Sequence, residues 1–305
     1  MNILIIGLGS IANKHIQALR KIDSEVYIEA LRSSEMAEKT DAIKNIFSLK
    51  EATKPDLIIV SNPSIFHFDS LIQILPFNVP ILLEKPAFTS IKEYNDIEKH
   101  LKKFRSFIQV GFNLRHLKCL QFAKDFIVQD KLQEVNVYAG SYLPDWRPQT
   151  NYKDSYSAKS KLGGGVHLDL IHELDYTTWI CGFPDQAFKS LRSKSHLGIE
   201  SIDFAHYLLE YPSFATSITL NYYRKDSKRE IEFITNENTI KVDILKNSVT
   251  ELNSNSIIFE SDQTILDTYT DQMNDLVDKI KSGYKGYLDL KHSMYTLKIA
   301  INGES

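Results

Sequence analysis

The feature that most constrains this chain is an apolar run that stops on a glycine turn and restarts as a helix. Residues 2–6 form a short, nearly continuous apolar stretch, the pattern of a strand buried on both faces. Gly7-Leu8-Gly9-Ser10-Ile11-Ala12 closes it, and residues 11–21 then carry Ile11, His15, Ala18 and Leu19 at helical spacing. A strand, a Gly-x-Gly-x-x-Ala turn and a helix in that order suit a dinucleotide. Gly7 permits the tight turn, and Gly9 lets a pyrophosphate approach the backbone. Ala12 allows close packing of helix on strand, and the helix start at Ser10 and Ile11 faces the phosphates.

The alternation continues. Residues 26–31, 56–61, 79–84 and 107–112 read as further strands, and 66–75 and 90–104 as helices between them. Parallel strands joined by helical crossovers give a doubly wound α/β Rossmann sheet over residues 1–116. Beyond that the pattern changes. Helices are expected at 117–128 and 166–180, a strand at 135–142, then consecutive strands at 204–211, 214–223, 230–235, 239–245 and 256–259. Helices over 267–282 and 291–301 complete an α+β domain, residues 117–305, with one large, mostly antiparallel open sheet.

Composition excludes several functions. A formal net charge of −3 without a basic, aromatic-interleaved stripe offers no footprint for nucleic acid. No apolar stretch approaches bilayer length, and the first strand has no basic segment before it, so neither a membrane span nor a signal peptide is expected. Cys119 and Cys181 lie in no metal-ligand spacing, so no metal is expected, and two lone cysteines fit a cytoplasmic protein.

The second strand ends Ala30-Leu31-Arg32-Ser33-Ser34, and Glu29 lies too early to reach a ribose 2′-hydroxyl from the strand tip. Arg32 with Ser33 and Ser34 suits a 2′-phosphate, which favours NADP(H), with NAD(H) the alternative and stacking of Arg32 on adenine the blander reading. The fourth strand ends on Glu84-Lys85-Pro86, which places a lysine where chemistry would occur.

These residues resemble the Gfo/Idh/MocA oxidoreductases. The likeness is carried by Gly7–Ala12 with His15, Asn62-Pro63 with His67, Glu84-Lys85-Pro86, Gly111-Phe112-Asn113-Leu114-Arg115, and Gly163-Gly164-Gly165-Val166-His167-Leu168-Asp169-Leu170-Ile171-His172. Tyr142–Pro148 and His172–Tyr176 resemble a bacterial branch associated with surface polysaccharides and sialic-acid-like sugars. The resemblance implies hydride transfer between nicotinamide and a carbon bearing a hydroxyl or carbonyl, on a sugar-type small molecule. It also implies association as a homodimer or homotetramer through the C-terminal sheet. Asn62, Pro63, His67, Glu84 and Lys85 would join the glycine turn in holding the cofactor, with Glu84 near the nicotinamide ribose.

Carried over from the family, Lys85, Asp169 and His172 surround the reacting oxygen. Lysine is a strong donor to that oxygen, and imidazole titrates near neutrality, so His172 is the preferred proton carrier and Asp169 an orienting group. Many members have Asp-x-x-x-His where this chain has Asp169-x-x-His172. Both spacings share one helix face, yet His167 or a helix irregularity remains an alternative. Arg147, Tyr152, Lys153 and Tyr156 occupy a loop that either covers an anionic substrate or is plain surface anchored by Trp146. Asn113 and Arg115 would support the cleft, Arg115 equally as a structural ion pair, and Tyr222-Tyr223 reads as packing or oligomer surface. A cofactor-binding regulator without catalysis and a reductase of a non-sugar substrate are the competing functions. Retention of both Lys85 and His172 argues against the first, and the Asp169/His172 pair against the second.

Overall fold

The computed structural model describes residues 1–34 and 42–302, with the side chains of Asp130 and Leu288 excepted; residues 303–305, at the end of the expected second domain, lie outside the described residues. The chain runs β1 (Asn2–Ile6), α1 (Ser10–Ile22), β2 (Tyr27–Leu31), β3 (Lys44–Ile46), β4 (Leu57–Val60), α2 (His67–Ile74), β5 (Ile81–Leu83), α3 (Ile91–Leu101) and β6 (Ile108–Val110). There follow α4 (Lys118–Phe126), β7 (Leu132–Gly140), α5 (Val166–Asp169), α6 (His172–Cys181), β8 (Gln186–Arg192), β9 (Phe204–Glu210) and β10 (Ala215–Asn221). β11 (Lys228–Thr235), β12 (Thr239–Asp243), β13 (Ser248–Glu251), β14 (Ser256–Glu260), α7 (Ile265–Lys281) and α8 (Leu288–Ile301) complete it.

Two compact units result, and they are not consecutive halves. The first holds Met1–Asn113 with Ile265–Met294, the second Leu114–Thr264 with the chain from Tyr295 onward. Residues 265–294, which sequence reading assigns to the second domain, thus pack within the first. The physical reason is the apolar stripe of α7: Tyr269, Met273 and Leu276 share one core with Ile16 and Leu19 of α1 and Ile3, Ile5 and Ile28 of the strands. An amphipathic helix announces that it covers a sheet, not which sheet.

The first unit contains a six-stranded parallel sheet in the order β3-β2-β1-β4-β5-β6. Sequence reading finds all of these except β3, whose three residues are too short to show a period. Strand order reverses between β1 and β4, the place where ligands enter such sheets at the C-terminal strand ends. The second unit carries an eight-stranded sheet in the order β14-β13-β12-β11-β7-β10-β9-β8. It is antiparallel except where β7 and β10 run parallel. β8 and β13 escape the sequence reading. Side chains alternate as on a sheet with one covered face: Thr216, Ile218 and Leu220 are buried while Ser217 and Thr219 are half-exposed. The open face is more polar than expected, bearing Asn136, Tyr138, Glu230 and Glu232, although Phe188 and Leu208 stand exposed on it as a cross-strand pair.

Candidate active site

The dinucleotide turn of the first unit has the shape its sequence requires. Gly7 adopts φ +86°, and a Cβ there would lie 2.6 Å from the Asn62 Cα, so only glycine fits. Space above Gly9 is open, with nothing within 4 Å of where its Cβ would be. Ala12 is fully buried against the sheet. α1 begins without a side-chain cap and with no acid in its first turn, which leaves its leading N–H groups for an anion. Ser10 is exposed and Ile11 half-buried at that start. Across the reversal point, the Asn62 amide donates to Ser70 Oγ at 2.9 Å, while its Oδ1 is buried with no partner among the described residues. An open glycine, an uncapped helix start and an orphaned acceptor together fit a dinucleotide.

Several expected cofactor residues prove to be braces. His67 is buried with its ring nitrogens 3.0 Å from the Pro86 carbonyl and 2.9 Å from the Asn62 carbonyl, so it ties the ends of β5 and β4 together. Burial lowers its pKa, and the neutral ring donates to one of the two carbonyls. Pro63 opens the short turn that leads to His67. Glu84 is buried, with Oε1 accepting from His15 Nε2 at 2.6 Å and Oε2 from the Lys85 amide at 3.1 Å. Burial alone would raise its pKa, but the hydrogen bond and charge of His15 hold it below the usual range. The His15 ring stands edge-on to Tyr269 of α7, with centroids 5.3 Å apart. Lys85 follows, half-buried, at a cis peptide to Pro86. α3 then starts on a capping box, Ser90 with Glu93, worth about 1 kcal/mol.

Arg32 leaves the end of β2 half-buried, its Nη1 donating to Asn45 Oδ1 at 3.3 Å, with Ser33 exposed beside it. Glu29 is spent within the sheet layer: it accepts from the Thr53 amide at 2.7 Å and from Lys44 Nζ at 2.9 Å. Asn113 is buried and donates to Thr268 Oγ1 at 2.7 Å, so its amide is engaged inside the first unit.

In the second unit the expected continuous helix over 166–180 is two helices, broken at Leu170-Ile171. The shared-face argument for Asp169 and His172 therefore gives way: Asp169 ends α5 and His172 begins α6. Gly165 at φ +131° and Gly164, whose Cβ would meet the Tyr156 carbonyl at 2.2 Å, explain the glycine run before α5. Asp169 Oδ2 accepts from Tyr222 Oη at 2.6 Å. Burial first, and Asp169 next, push the Tyr222 phenol well above its ordinary pKa, which keeps it a donor. Trp146 stands edge-on to Tyr222 at 5.3 Å and donates to Ser141 Oγ at 2.9 Å. Sequence reading treats Tyr222 as strand packing; β10 in fact ends at Asn221, and Tyr222 reaches across to α5.

α6 is clamped from two sides. Arg115 forms a bidentate pair with Asp175 at 2.6 and 3.0 Å, and Arg229 Nε pairs with the fully buried Glu173 at 2.5 Å. Glu173 and Asp175 are both buried, and buried carboxylates need cations; the sequence, with His172, Thr177 and Thr178 in the same stretch, does not mark them as buried. His172 is buried at the first residue of α6. His167 is equally buried, and burial, followed by the Lys189 ammonium, lowers it to about 4. It is thus neutral near pH 7 and a poor proton carrier there. Arg147 is exposed, and the Tyr152 hydroxyl is used on the Leu197 carbonyl at 3.0 Å, so their loop is built as an anchored surface loop.

Two family models cover the chain. One, described as the oxidoreductase family's NAD-binding Rossmann fold, matches residues 1–112; the other, its C-terminal alpha/beta domain, matches residues 124–303. The chain is similar to the rhizopine catabolism protein MocA of Rhizobium meliloti, at 25% identity over 63% of this chain and 60% of that protein. It is similar to the scyllo-inositol 2-dehydrogenase (NADP(+)) of Bacillus subtilis, at 23% identity over 58% of this chain and 51% of that one. The matches therefore span less than two thirds of these relatives. Among solved structures, levoglucosan dehydrogenase in complex with NADH and levoglucosan superposes with a TM-score of 0.83 at 13% identity, covering 98% of this chain and 95% of that one, a likeness of fold. With both of its domain models matched in order along the chain, the protein belongs to the Gfo/Idh/MocA oxidoreductase family.

Proposed function

We propose that this protein is an NAD(P)-dependent oxidoreductase that transfers a hydride between nicotinamide and a hydroxyl- or carbonyl-bearing carbon of a sugar or sugar derivative. The observation that carries the reading is the buried His15–Glu84 bond at 2.6 Å. It joins the helix behind the glycine turn to the strand end that presents Lys85, so one rigid element serves cofactor and chemistry. The region of residues 1–116, with residues 265–294 packed into it, acts as the cofactor domain, and the rest of 117–305 as the substrate and oligomerisation domain.

A bound dinucleotide supplies the hydride acceptor or donor. The protein's own groups do the rest. Gly7, Gly9, Ser10, Ile11 and Ala12 shape the phosphate seat, and Asn62 offers its unused Oδ1. Arg32 and Ser33 favour a 2′-phosphate, hence NADP(H), with NAD(H) the alternative. Lys85 hydrogen-bonds the substrate oxygen. As the carbon–hydrogen bond breaks with its electron pair, the hydroxyl proton passes to His172, and in the reverse direction His172 returns it. Asp169, held by Tyr222, orients the substrate. Of the further substrate-binding candidates, Arg147 is exposed for an anionic substrate, whereas the Tyr152 hydroxyl and the Asn113 amide are engaged within the protein and contribute by positioning.

Sugar-type substrates are favoured because the relatives named above act, by their names, on an inositol and an anhydrosugar. The exposed Phe188–Leu208 pair supports a homodimer or homotetramer through the open sheet. Two buried thiols suit the cytoplasm. No helix among the described residues is long and apolar enough to cross a membrane. The test is to titrate NADPH and NADH by fluorescence, then to follow nicotinamide absorbance with sugars, inositols and nucleotide sugars in both directions. Turnover of at least one substrate is expected. Dinucleotide binding with no turnover across the panel would make the protein a regulator of the same fold.

A further inference from the structure

A cavity lined by basic side chains stands in the second unit. It has a volume of about 320 Å³ and opens where the ends of β8, β9 and β10 meet, lined by Arg192, Lys194, His196, Asp203, Phe204 and Tyr223. Among the described residues neither Arg192 nor Lys194 forms an ion pair with a carboxylate. Arg192 lies over the Phe204 ring, its guanidinium carbon 5.8 Å from the ring centroid, a cation–π contact that leaves its N–H groups without a carboxylate partner among the described residues. The cavity's single acid is directed elsewhere: Asp203 is buried, and its carboxylate caps the main-chain amides of Lys194 at 3.4 Å and Ser195 at 2.9 Å. That cap fixes the loop on which Lys194 and His196 stand. His196 in turn stacks on Tyr142, with centroids 6.1 Å apart and planes at 24°. Unpaired cations gathered in one concavity of a chain with net charge −3 form a local positive field of the kind that concentrates anions.

We propose that this cavity binds a diphosphate-bearing ligand, with Arg192 and Lys194 on the phosphates and Tyr223 as a flat wall. A guanidinium fork beside a mobile ammonium matches adjacent phosphates better than it matches a neutral sugar, whose hydroxyls would leave both charges uncompensated. The cavity lies in the second unit and the glycine turn in the first. It is tied to the candidate catalytic groups of its own unit, because the Tyr222 amide donates to the Asp203 carbonyl at 3.1 Å while the Tyr222 hydroxyl holds Asp169. The proposal rests on the hydride-transfer reading only in taking the glycine turn as the dinucleotide's seat.

The experiment is calorimetric titration of the intact protein with UDP and, separately, with inorganic pyrophosphate, each with NADPH already saturating. Both should bind, more weakly as salt rises. Arg192→Gln/Lys194→Gln should weaken both by about tenfold or more, with NADPH affinity and the circular-dichroism spectrum unchanged. Lys194→Glu alone, a change at an exposed position, should weaken them in the same direction. Equal affinities for the two probes would place recognition in the phosphates; tighter UDP would add the aromatic wall. Absence of binding, or binding that the double variant leaves unchanged, overturns the site. Failure of NADPH and NADH alike to bind would instead overturn the proposed function.

Discussion

Tyr222 donates its phenolic proton to Asp169 across 2.6 Å, from a position with no solvent exposure. The bond spans the gap between the end of a central strand and the end of a four-residue helix. It holds Oδ2 of the carboxylate at the end of that helix. Tyr222→Phe keeps the packing against Trp146 and deletes the hydroxyl's hydrogen bonds, the one to Asp169 and the one shared with Ser157. Turnover should fall by about tenfold or more, the scale of one hydrogen bond to a charged acceptor, while dinucleotide affinity stays the same. Unchanged turnover in a folded variant would show that Asp169 needs no such support.

The proposed preference for NADP(H) rests on Arg32. Arg32→Ala should weaken NADPH by about tenfold or more relative to NADH, since a charge-assisted fork to a 2′-phosphate is lost and nothing is lost toward a hydroxyl. Competitive fluorescence titration of both dinucleotides reads the ratio, and a constant ratio would remove the preference for NADP.

The clamp on α6 concerns stability. Glu173 is fully buried against Arg229. Arg229→Met strands the carboxylate and should cost about 3–5 kcal/mol, seen as a lowered thermal midpoint. Pairing it with Glu173→Gln should recover part of that loss, because the stranded charge is gone. A double variant no more stable than the single one would mean that the arginine acts by packing.

His167 governs part of the acid sensitivity. Its ring is lowered to about 4 in the folded protein, against about 6.5 in an unfolded chain. Over that interval the unfolded chain binds a proton that the folded one refuses, so stability falls as pH drops from about 6.5 to about 4 and levels off below. The loss is on the order of 3 kcal/mol. His167→Gln should flatten the dependence of the denaturation midpoint on pH across this window, and an unchanged slope would assign the acid sensitivity to other groups.

The first unit was legible because its strands are buried on both faces and its turns carry glycine. Gly7 to Ala12, Lys85 and the alternation of strands and helices all sit where the sequence puts them. What was not legible depends on partners distant in the chain. His15 and Glu84 are 69 residues apart, and no local pattern says that they bond. Tyr222 and Asp169 are 53 apart, and a tyrosine after a strand resembles any packing aromatic. The break between α5 and α6 was hidden because His, Asp, Glu and Thr are interspersed among the apolar residues of 166–180 without a distinct polar face, which gives no phase by which to see an interruption. The assignment of α7 to the first unit was hidden for the related reason that its stripe fits either sheet.

The central claim is that the strand end after β5 presents a lysine for chemistry, beside the glycine-turn seat for the dinucleotide to which the His15–Glu84 bond ties it. Its most direct test is single-turnover hydride transfer by Lys85→Ala, followed by nicotinamide absorbance, alongside dinucleotide titration of the same variant. The rate should fall by about a hundredfold or more, with dinucleotide affinity within several-fold of the parent. An undiminished rate, or equal losses in rate and affinity, would contradict it.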